Sequence, residues 1–294
     1  MTAVQLIDRG VIRVGGEEAA GFLQGLLTCD IDKVTPGQAG YGALLTPQGK
    51  IISDCLVVAV PSEDGGGFLL DAPLLQTPDL MKRLKLYRLR SRVILDDLTA
   101  DSTVIAASDG GALPEDAGLV YADPRLPALG DRAITDRAGV TDIAGLDTDA
   151  YHARRIALGV PDGGKDFAYG DAFPHEALLD QLNGVSFKKG CYVGQEVVSR
   201  MQHRGTARTR IVPIVFTEGL VTEMGVEATA GEKTLGRVGS CANGRGLAML
   251  RLDRVADAIA AGERLDAGGL AFTVEKPAFA RFPFPGEPGF GAAA

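Results

Sequence analysis

Beyond Gly205 the chain breaks into short apolar runs, at 211–216, 234–238, 246–250 and 271–274, with glycine-rich turns between them. Turn residues at such close spacing favour antiparallel neighbours, and strands this short need covered edges. A small antiparallel β-barrel meets both demands, because closure leaves no strand edge open. Glycine is abundant throughout, 39 of 294 residues, which fits many tight turns and short strands, with disorder confined to short stretches.

Upstream the texture differs, since helical and strand periodicities alternate there. Residues 4–7 and 11–14 read as a β-hairpin around Asp8, Arg9 and Gly10. Residues 17–27 carry a helical pattern, with Ala20, Phe22, Leu23, Leu26 and Leu27 near one face. Strands at 40–46 and 51–60 flank a turn at Pro47, Gln48, Gly49 and Lys50. A strand at 68–70, a helix opening at Thr77, Pro78 and Asp79, and strands at 93–95 and 103–106 complete an α+β unit. Residues 109–131, rich in Gly, Pro and Asp, read as loop. Further helices are expected from Asp149 to Gly159, just after Pro174, and from Gln195 to about His203. At 294 residues the chain supports two or three modest domains. The expected division is 1–48 plus 145–205, then 49–144, then a barrel at 206–282, and a flexible tail at 283–294.

Composition narrows the function. A net charge of −8 argues against direct nucleic-acid binding, which relies on cations to displace counterions from phosphate. The charge is uneven, however. Lys188, Lys189, Arg200, Arg204, Arg208 and Arg210 face only Glu196 between 188 and 210. Such a patch suits a small anionic ligand, an acidic partner or simply a solvated helix face. No run reaches the roughly 18 apolar residues of a membrane span, and residues 1–10 lack a leader pattern, so a cytoplasmic location is expected. The four cysteines, Cys29, Cys55, Cys191 and Cys241, form no C-x-x-C, and the three histidines share no ligand spacing. Neither a disulfide framework nor a permanent metal site is expected.

Lys189-Gly190-Cys191-Tyr192-Val193-Gly194-Gln195-Glu196 sets a cysteine between glycines, behind a lysine and ahead of a helix start. Glycines permit sharp bends and close ligand approach. A nearby ammonium and helix N–H groups favour thiolate. The plainer alternative is a buried cysteine in a tight turn. This string, followed by Arg200, resembles the signature of the YgfZ-type folate-binding proteins. These are iron–sulfur cluster assembly factors that share their fold with the T-protein (aminomethyltransferase) of the glycine cleavage system. The similarity covers most of the chain and is weakest between about 100 and 145 and after about 240. It implies an α+β, T-protein-like multi-domain fold around a central folate cavity, closed on one side by the C-terminal antiparallel β-barrel.

The resemblance also supplies expected roles. Residues 16–30 resemble the family's N-terminal helix, and 45–54 its following hairpin. T-protein relatives carry paired aspartates in that hairpin, whereas Ser53 here leaves only Asp54. Asp54 is a base or hydrogen-bond acceptor on that reading, and a solvent-facing strand residue on the plain one. Pro174-His175-Glu176 matches the segment that presents a glutamate to the pterin, where a carboxylate accepts two parallel hydrogen bonds. Glu176 alternatively complements a helix dipole. Arg154 and Arg155 precede Gly159-Val160-Pro161, similar to a family stretch. One of them is expected to meet the folate tail or Glu176 and the other to be a surface charge. Tyr192 is a ring-stacking or half-core residue. Cys191, with Lys189 tuning it, stands where the transferases carry an acidic residue, and this favours an assembly factor over carbon transfer. The implied function is a factor that binds tetrahydrofolate or a one-carbon derivative and supports 4Fe–4S proteins, tRNA-modifying radical enzymes among its clients. Its expected partners are folate and client or cluster-assembly proteins. The alternative is a folate-dependent aminomethyltransferase or demethylase, with Asp54 and Glu176 as working groups.

Overall fold

The computed structural model describes residues 3–142, 144–145, 148–205, 207–287 and 290. Its internal contacts divide the chain into one unit of Met1–Arg154 with Leu182–Gln195, and another of Arg155–Gln181 with Glu196–Ala294.

The first unit runs β1 (Ala3–Leu6), β2 (Arg9–Gly15), α1 (Ala19–Leu26), β3 (Gly40–Leu45), β4 (Ile51–Ala59), β5 (Phe68–Pro73), α2 (Thr77–Arg88), β6 (Ile94–Asp97), β7 (Ser102–Ala107), β8 (Leu119–Ala122), β9 (Asp131–Asp136), β10 (Ala144–Gly145) and the start of α3 (Asp149–Leu158). The strands form two sheets, ordered β3-β4-β5-β2-β6 and β10-β1-β7-β9-β8.

The expected hairpin of the first two strands does not form. β1 pairs with β7 and β10, while β2 pairs with β5 and β6 in the other sheet. Val4, Leu6, Val11, Ile12 and Val14 are all buried. A lone ribbon would leave much of that surface wet, whereas two separate interior positions bury it all. The β3–β4 hairpin does form, from Gly40↔Val57 to Leu45↔Ile51. A domain boundary at 48/49 would therefore cut one continuous sheet. Residues 109–131, expected as loop, supply β8 and the approach to β9, both of which pair within the second sheet.

Helices α1 and α2 cover one face of the first sheet. Leu23, Leu26, Leu80 and Leu84 pack there with Ile12, Val14, Cys55 and Val57. Each such leucine contributes roughly 1.5–3 kcal/mol of burial. β4 is buried along its whole length. Its alternate residues, Asp54 and Leu56 among them, therefore point to the opposite, equally buried face.

The second unit contains α4 (Gln195–Arg204), apart from its first residue, and a closed antiparallel barrel. The barrel strands are β11 (Thr209–Phe216), β12 (Glu227–Ala230), β13 (Lys233–Ala242), β14 (Arg245–Arg251), β15 (Leu265–Ala267) and β16 (Leu270–Val274), with α5 (Leu252–Ala260) between β14 and β15. The barrel expected from the sequence is thus present. The short helix expected after Pro174 is absent, and 174–182 run as successive turns. Leu178, at φ +62°, sits in the left-handed region and interrupts any helix there. The expected fraying from 283 onward does not extend through the described tail. Phe282 and Phe284 are buried, and Glu287 accepts from Lys276 at 2.8 Å. No helix among the described residues is long and apolar enough to cross a membrane.

Candidate functional site

The signature turn is fastened to the first unit on both sides of Cys191. Lys189 is only 8% exposed, and its ammonium donates to the carbonyls of Leu27 (2.7 Å) and Cys29 (2.6 Å) at the end of α1. Burial lowers its pKa, against the opposing influence of nearby acidic groups. The same ammonium lies 5.3 Å from the centroid of the Tyr192 ring. Tyr192 is itself buried, and desolvation raises its phenol to about 12. Gly194 closes the turn at φ +83°, where a Cβ would lie 2.6 Å from the Thr46 carbonyl, so glycine is needed for conformation and for space. Between these anchors Gly190 and Cys191 are exposed.

This bears on three readings. Cys191 is not a buried turn cysteine. Lys189 secures the turn through backbone carbonyls, with its charge turned toward Leu27 and Cys29, and this geometry lends no support to a role in tuning Cys191. Tyr192 is a core residue beneath Lys189 rather than an open stacking platform. Thr28, which the sequence reading passed over, completes the anchorage. Its hydroxyl accepts from the Ala43 N–H (2.9 Å) and donates to the Gly184 carbonyl (2.5 Å), and its carbonyl accepts from Ser186 N–H (2.9 Å). A threonine at a helix end carries no mark in sequence that distinguishes this bridging role.

Asp54 is buried, not solvent-facing, and accepts a hydrogen bond from the Tyr41 hydroxyl at 3.0 Å. The Arg125 guanidinium lies 5.9 Å from the Tyr41 ring centroid. Register places Tyr41, Leu56, Asp71 and Val11 side by side on the same buried face. Asp71, fully buried, accepts from Arg9 Nε (2.5 Å), Arg132 Nη2 (2.7 Å) and the Tyr121 hydroxyl (2.9 Å). Arg132 also donates to Tyr151 (2.7 Å), which accepts from Arg125 (3.1 Å), and Arg125 pairs with Asp123 (2.7 Å). Burial pushes both carboxyls up, but the guanidiniums more than offset it and hold Asp71 and Asp123 below the ordinary carboxylate range. This network joins the two sheets of the unit, on the face of the first sheet that carries Asp54. It was not legible in the sequence, where its charges are scattered from Arg9 to Arg132 and Asp123 and Arg125 sit in the segment read as loop.

The remaining predicted residues fall elsewhere. Arg154 donates through Nε to the Ala128 carbonyl (2.9 Å) and lies over Gly110 in the first unit. Its neighbour Arg155 is 1% exposed in the second unit, bound to Asp166 (2.8 Å) and Ser240 (2.7 Å), so it is not the surface charge that one of the pair was expected to be. Glu176 is also in the second unit. There its Oε2 accepts the Phe173 N–H at 2.8 Å, so its order comes from a turn rather than a helix dipole. Glu176, Phe173, Met201, Arg208 and Arg251 are among the residues that line a cavity of about 270 Å³. The basic patch is thinner than the sequence suggests. Lys189 and Arg210 are buried, Arg210 paired with Asp180 (2.6 Å), and Arg200 pairs with Glu196.

Comparison with known proteins agrees with this architecture. A family described as the GCVT N-terminal domain matches residues 2–107, and the CAF17 C-terminal beta-barrel domain matches residues 208–282. The glycine cleavage system aminomethyltransferase T from Bartonella henselae superposes with a TM-score of 0.73, covering 96% of this chain and 87% of that one. At 16% identity this likeness establishes the fold, which is T-protein-like. The human mitochondrial iron–sulfur cluster assembly factor IBA57 is 32% identical over 276 residues, 85% of this chain and 78% of that protein. The homologue from Mycosarcoma maydis is 37% identical over 223 residues, and that from Neurospora crassa 33% over 241. These alignments cover 71% and 75% of this chain but only 55% of each relative, so the chain spans about half their length. All three relatives are named as mitochondrial, which overturns the expected cytoplasmic location. That expectation rested on composition and the first ten residues, and neither distinguishes one aqueous compartment from another. The resemblance carried by the signature holds at the level of an iron–sulfur cluster assembly factor with a T-protein-like fold: the chain belongs to the IBA57 family of iron–sulfur cluster assembly factors.

Proposed function

We propose that this chain supports the assembly or repair of 4Fe–4S proteins through Cys191, and that it binds a reduced folate. The observation that carries the reading is an exposed thiol on a turn fixed at Lys189, Tyr192 and Gly194. Cys29 and Cys55 are unsuited to the task. Both are buried, and desolvation raises the first to about 12 and the second well above the ordinary thiol value. Iron–sulfur clusters are commonly held by four thiolates. Among the described residues no three His, Cys, Asp or Glu side chains gather as a metal-holding group. Iron or a cluster carried at Cys191 therefore takes its other ligands from a partner. The thiol loses its proton and its sulfur donates an electron pair to iron, with no redox change required.

For the folate, the cavity beside Glu176 offers a carboxylate acceptor together with the apolar Phe173 and Met201 and the cationic Arg208. That donor set fits part of the molecule, with ring N–H groups on the carboxylate and the ring plane on the apolar wall. Bound there, the folate would supply one-carbon chemistry, and Glu176 would orient it.

The test is a strain lacking the gene, complemented with wild type or Cys191→Ser, with endogenous 4Fe–4S enzyme activity as the readout. Activity restored by wild type alone is expected. Full rescue by Cys191→Ser removes the thiol from the function. Undiminished activity without the gene removes the assembly role and leaves folate-dependent one-carbon transfer. For the ligand, calorimetry with tetrahydrofolate should show weaker binding by Glu176→Ala, and equal affinity excludes Glu176 from the site.

A further inference from the structure

Helix α2 turns its apolar residues Leu80, Met81 and Leu84 into the core of the first unit, yet its end keeps a second set outside. Residues 85–90, Lys-Leu-Tyr-Arg-Leu-Arg, are all exposed, with Leu86 at 66% and Leu89 at 86%. Leu89 adopts φ +46°, a left-handed conformation that a leucine rarely takes and that strains the backbone. The fold thus accepts backbone strain at a residue whose side chain projects into water. A shallow groove lined by Glu18, Leu89, Arg90 and Ser91 lies beside it.

The surrounding charge is opposite to that of the whole chain. Residues 74–92 contain six cations and a single anion, Asp79, in a protein of net charge −8. Arg83 pairs with Asp79, and Arg92 with Glu17 and Glu18. Among the described residues Lys82, Lys85, Arg88 and Arg90 have no carboxylate partner. Unpaired cations interleaved with exposed leucines and a tyrosine match the residue types that dominate protein interfaces, where arginine and tyrosine carry much of the energy. A lipid surface instead calls for an apolar face segregated from the basic one, and the segregated apolar face of α2 is already used inside.

We propose that the C-terminal end of α2 docks an acidic protein partner whose carboxylates surround a cleft that receives Leu86 and Leu89. This surface is independent of the cysteine and folate readings above.

The test places a photo-reactive benzoylphenylalanine at position 86 of the full chain in cells. A control chain carries it at exposed Leu220, in the other unit. Adducts are identified by mass spectrometry, and the partner is then purified for direct binding. The expected result is an adduct from position 86 alone, with an acidic protein. Its affinity should fall at least about ten-fold in the Lys85→Glu, Arg88→Glu, Arg90→Glu variant, and should weaken with salt. Because these side chains are exposed and unpaired, the variant should melt as wild type does. A Leu89→Gly variant, which relieves the backbone, should also bind more weakly while folding normally. Four outcomes overturn the proposal: no adduct, an adduct with a second copy of this chain, an affinity indifferent to the charge reversal, or co-sedimentation with phosphatidylglycerol vesicles that the reversal abolishes.

Discussion

Replacing Lys189 by methionine separates an anchoring lysine from one that activates a thiol. The change keeps most of the stem and removes the ammonium that bonds two carbonyls at 2.7 and 2.6 Å. Hydrogen bonds from a charged donor contribute about 1.5–3 kcal/mol each, and the contact with the Tyr192 ring adds about 0.5–2 kcal/mol. Against this stands the desolvation of the ammonium, which is why its pKa is lowered. Taking that offset at roughly half the gain leaves a net loss of about 2–4 kcal/mol. Urea unfolding followed by circular dichroism reads the stability, and the rate of iodoacetamide labelling reads Cys191. The anchoring account expects a lower unfolding midpoint with labelling maintained or faster, as the turn loosens. An unchanged midpoint with slower labelling would refute it and restore the thiol-tuning role.

Two further predictions concern buried groups of the same unit. Asp71→Asn leaves Arg9 and Arg132 facing each other without their shared carboxylate and should cost about 3–5 kcal/mol, read by the same unfolding assay. A cost below about 1 kcal/mol would show the network to be dispensable. Because Asp71 and Asp123 hold depressed pKa values, their contribution is present above the unfolded carboxylate value of about 3.9 and is lost as pH falls through the folded values. The wild-type melting temperature should therefore drop steeply below about pH 4, and less so in Asp71→Asn. At the alkaline end the sign is reversed. Cys29 is raised to about 12, so its contribution is full below the unfolded thiol value of about 8.5 and disappears as pH rises through the folded one. Cys29→Ala should flatten the fall in stability between about pH 9 and 11, and an unaltered slope would assign that fall to other groups.

What the sequence made legible was local and periodic. The leucines of α1, the hairpin turn at Pro47 to Lys50 and the short runs of the barrel each declare themselves through spacing and turn chemistry. Partnership did not declare itself. β1 and β2 look like a hairpin because only Ile7 and Asp8 separate them, and nothing local says that the partner of Ala3 is as far along the chain as Ala144. The run around Leu178 and Leu179 has helical composition, and one left-handed residue cancels it. Nothing local marks Arg132 or Arg155 as buried, because burial of a guanidinium is tolerable only with its partners in place, and Asp71 and Ser240 lie far from them in the chain. For the site, the motif located the turn and the exposed cysteine. It could not show that the ammonium of Lys189 is turned to the end of α1.

That orientation bears on how an assembly factor could work. A cysteine that passes cargo on must be reachable and held in place, yet must not form a closed coordination shell within its own chain. Burial withholds Cys29 and Cys55, and Cys191 is left exposed on a turn whose flanks are fixed by Lys189, Tyr192 and Gly194. On the proposed role the chain would supply one sulfur and a partner the rest, since no set of further ligands gathers among the described residues. Affinity for a cargo would then depend on the encounter and fall when the partner leaves, as a transfer step requires. A lysine spent on carbonyls rather than on the thiol is consistent with that design. It fixes where the sulfur is and, on the proposed role, would leave the tightness of binding to the protein that meets it.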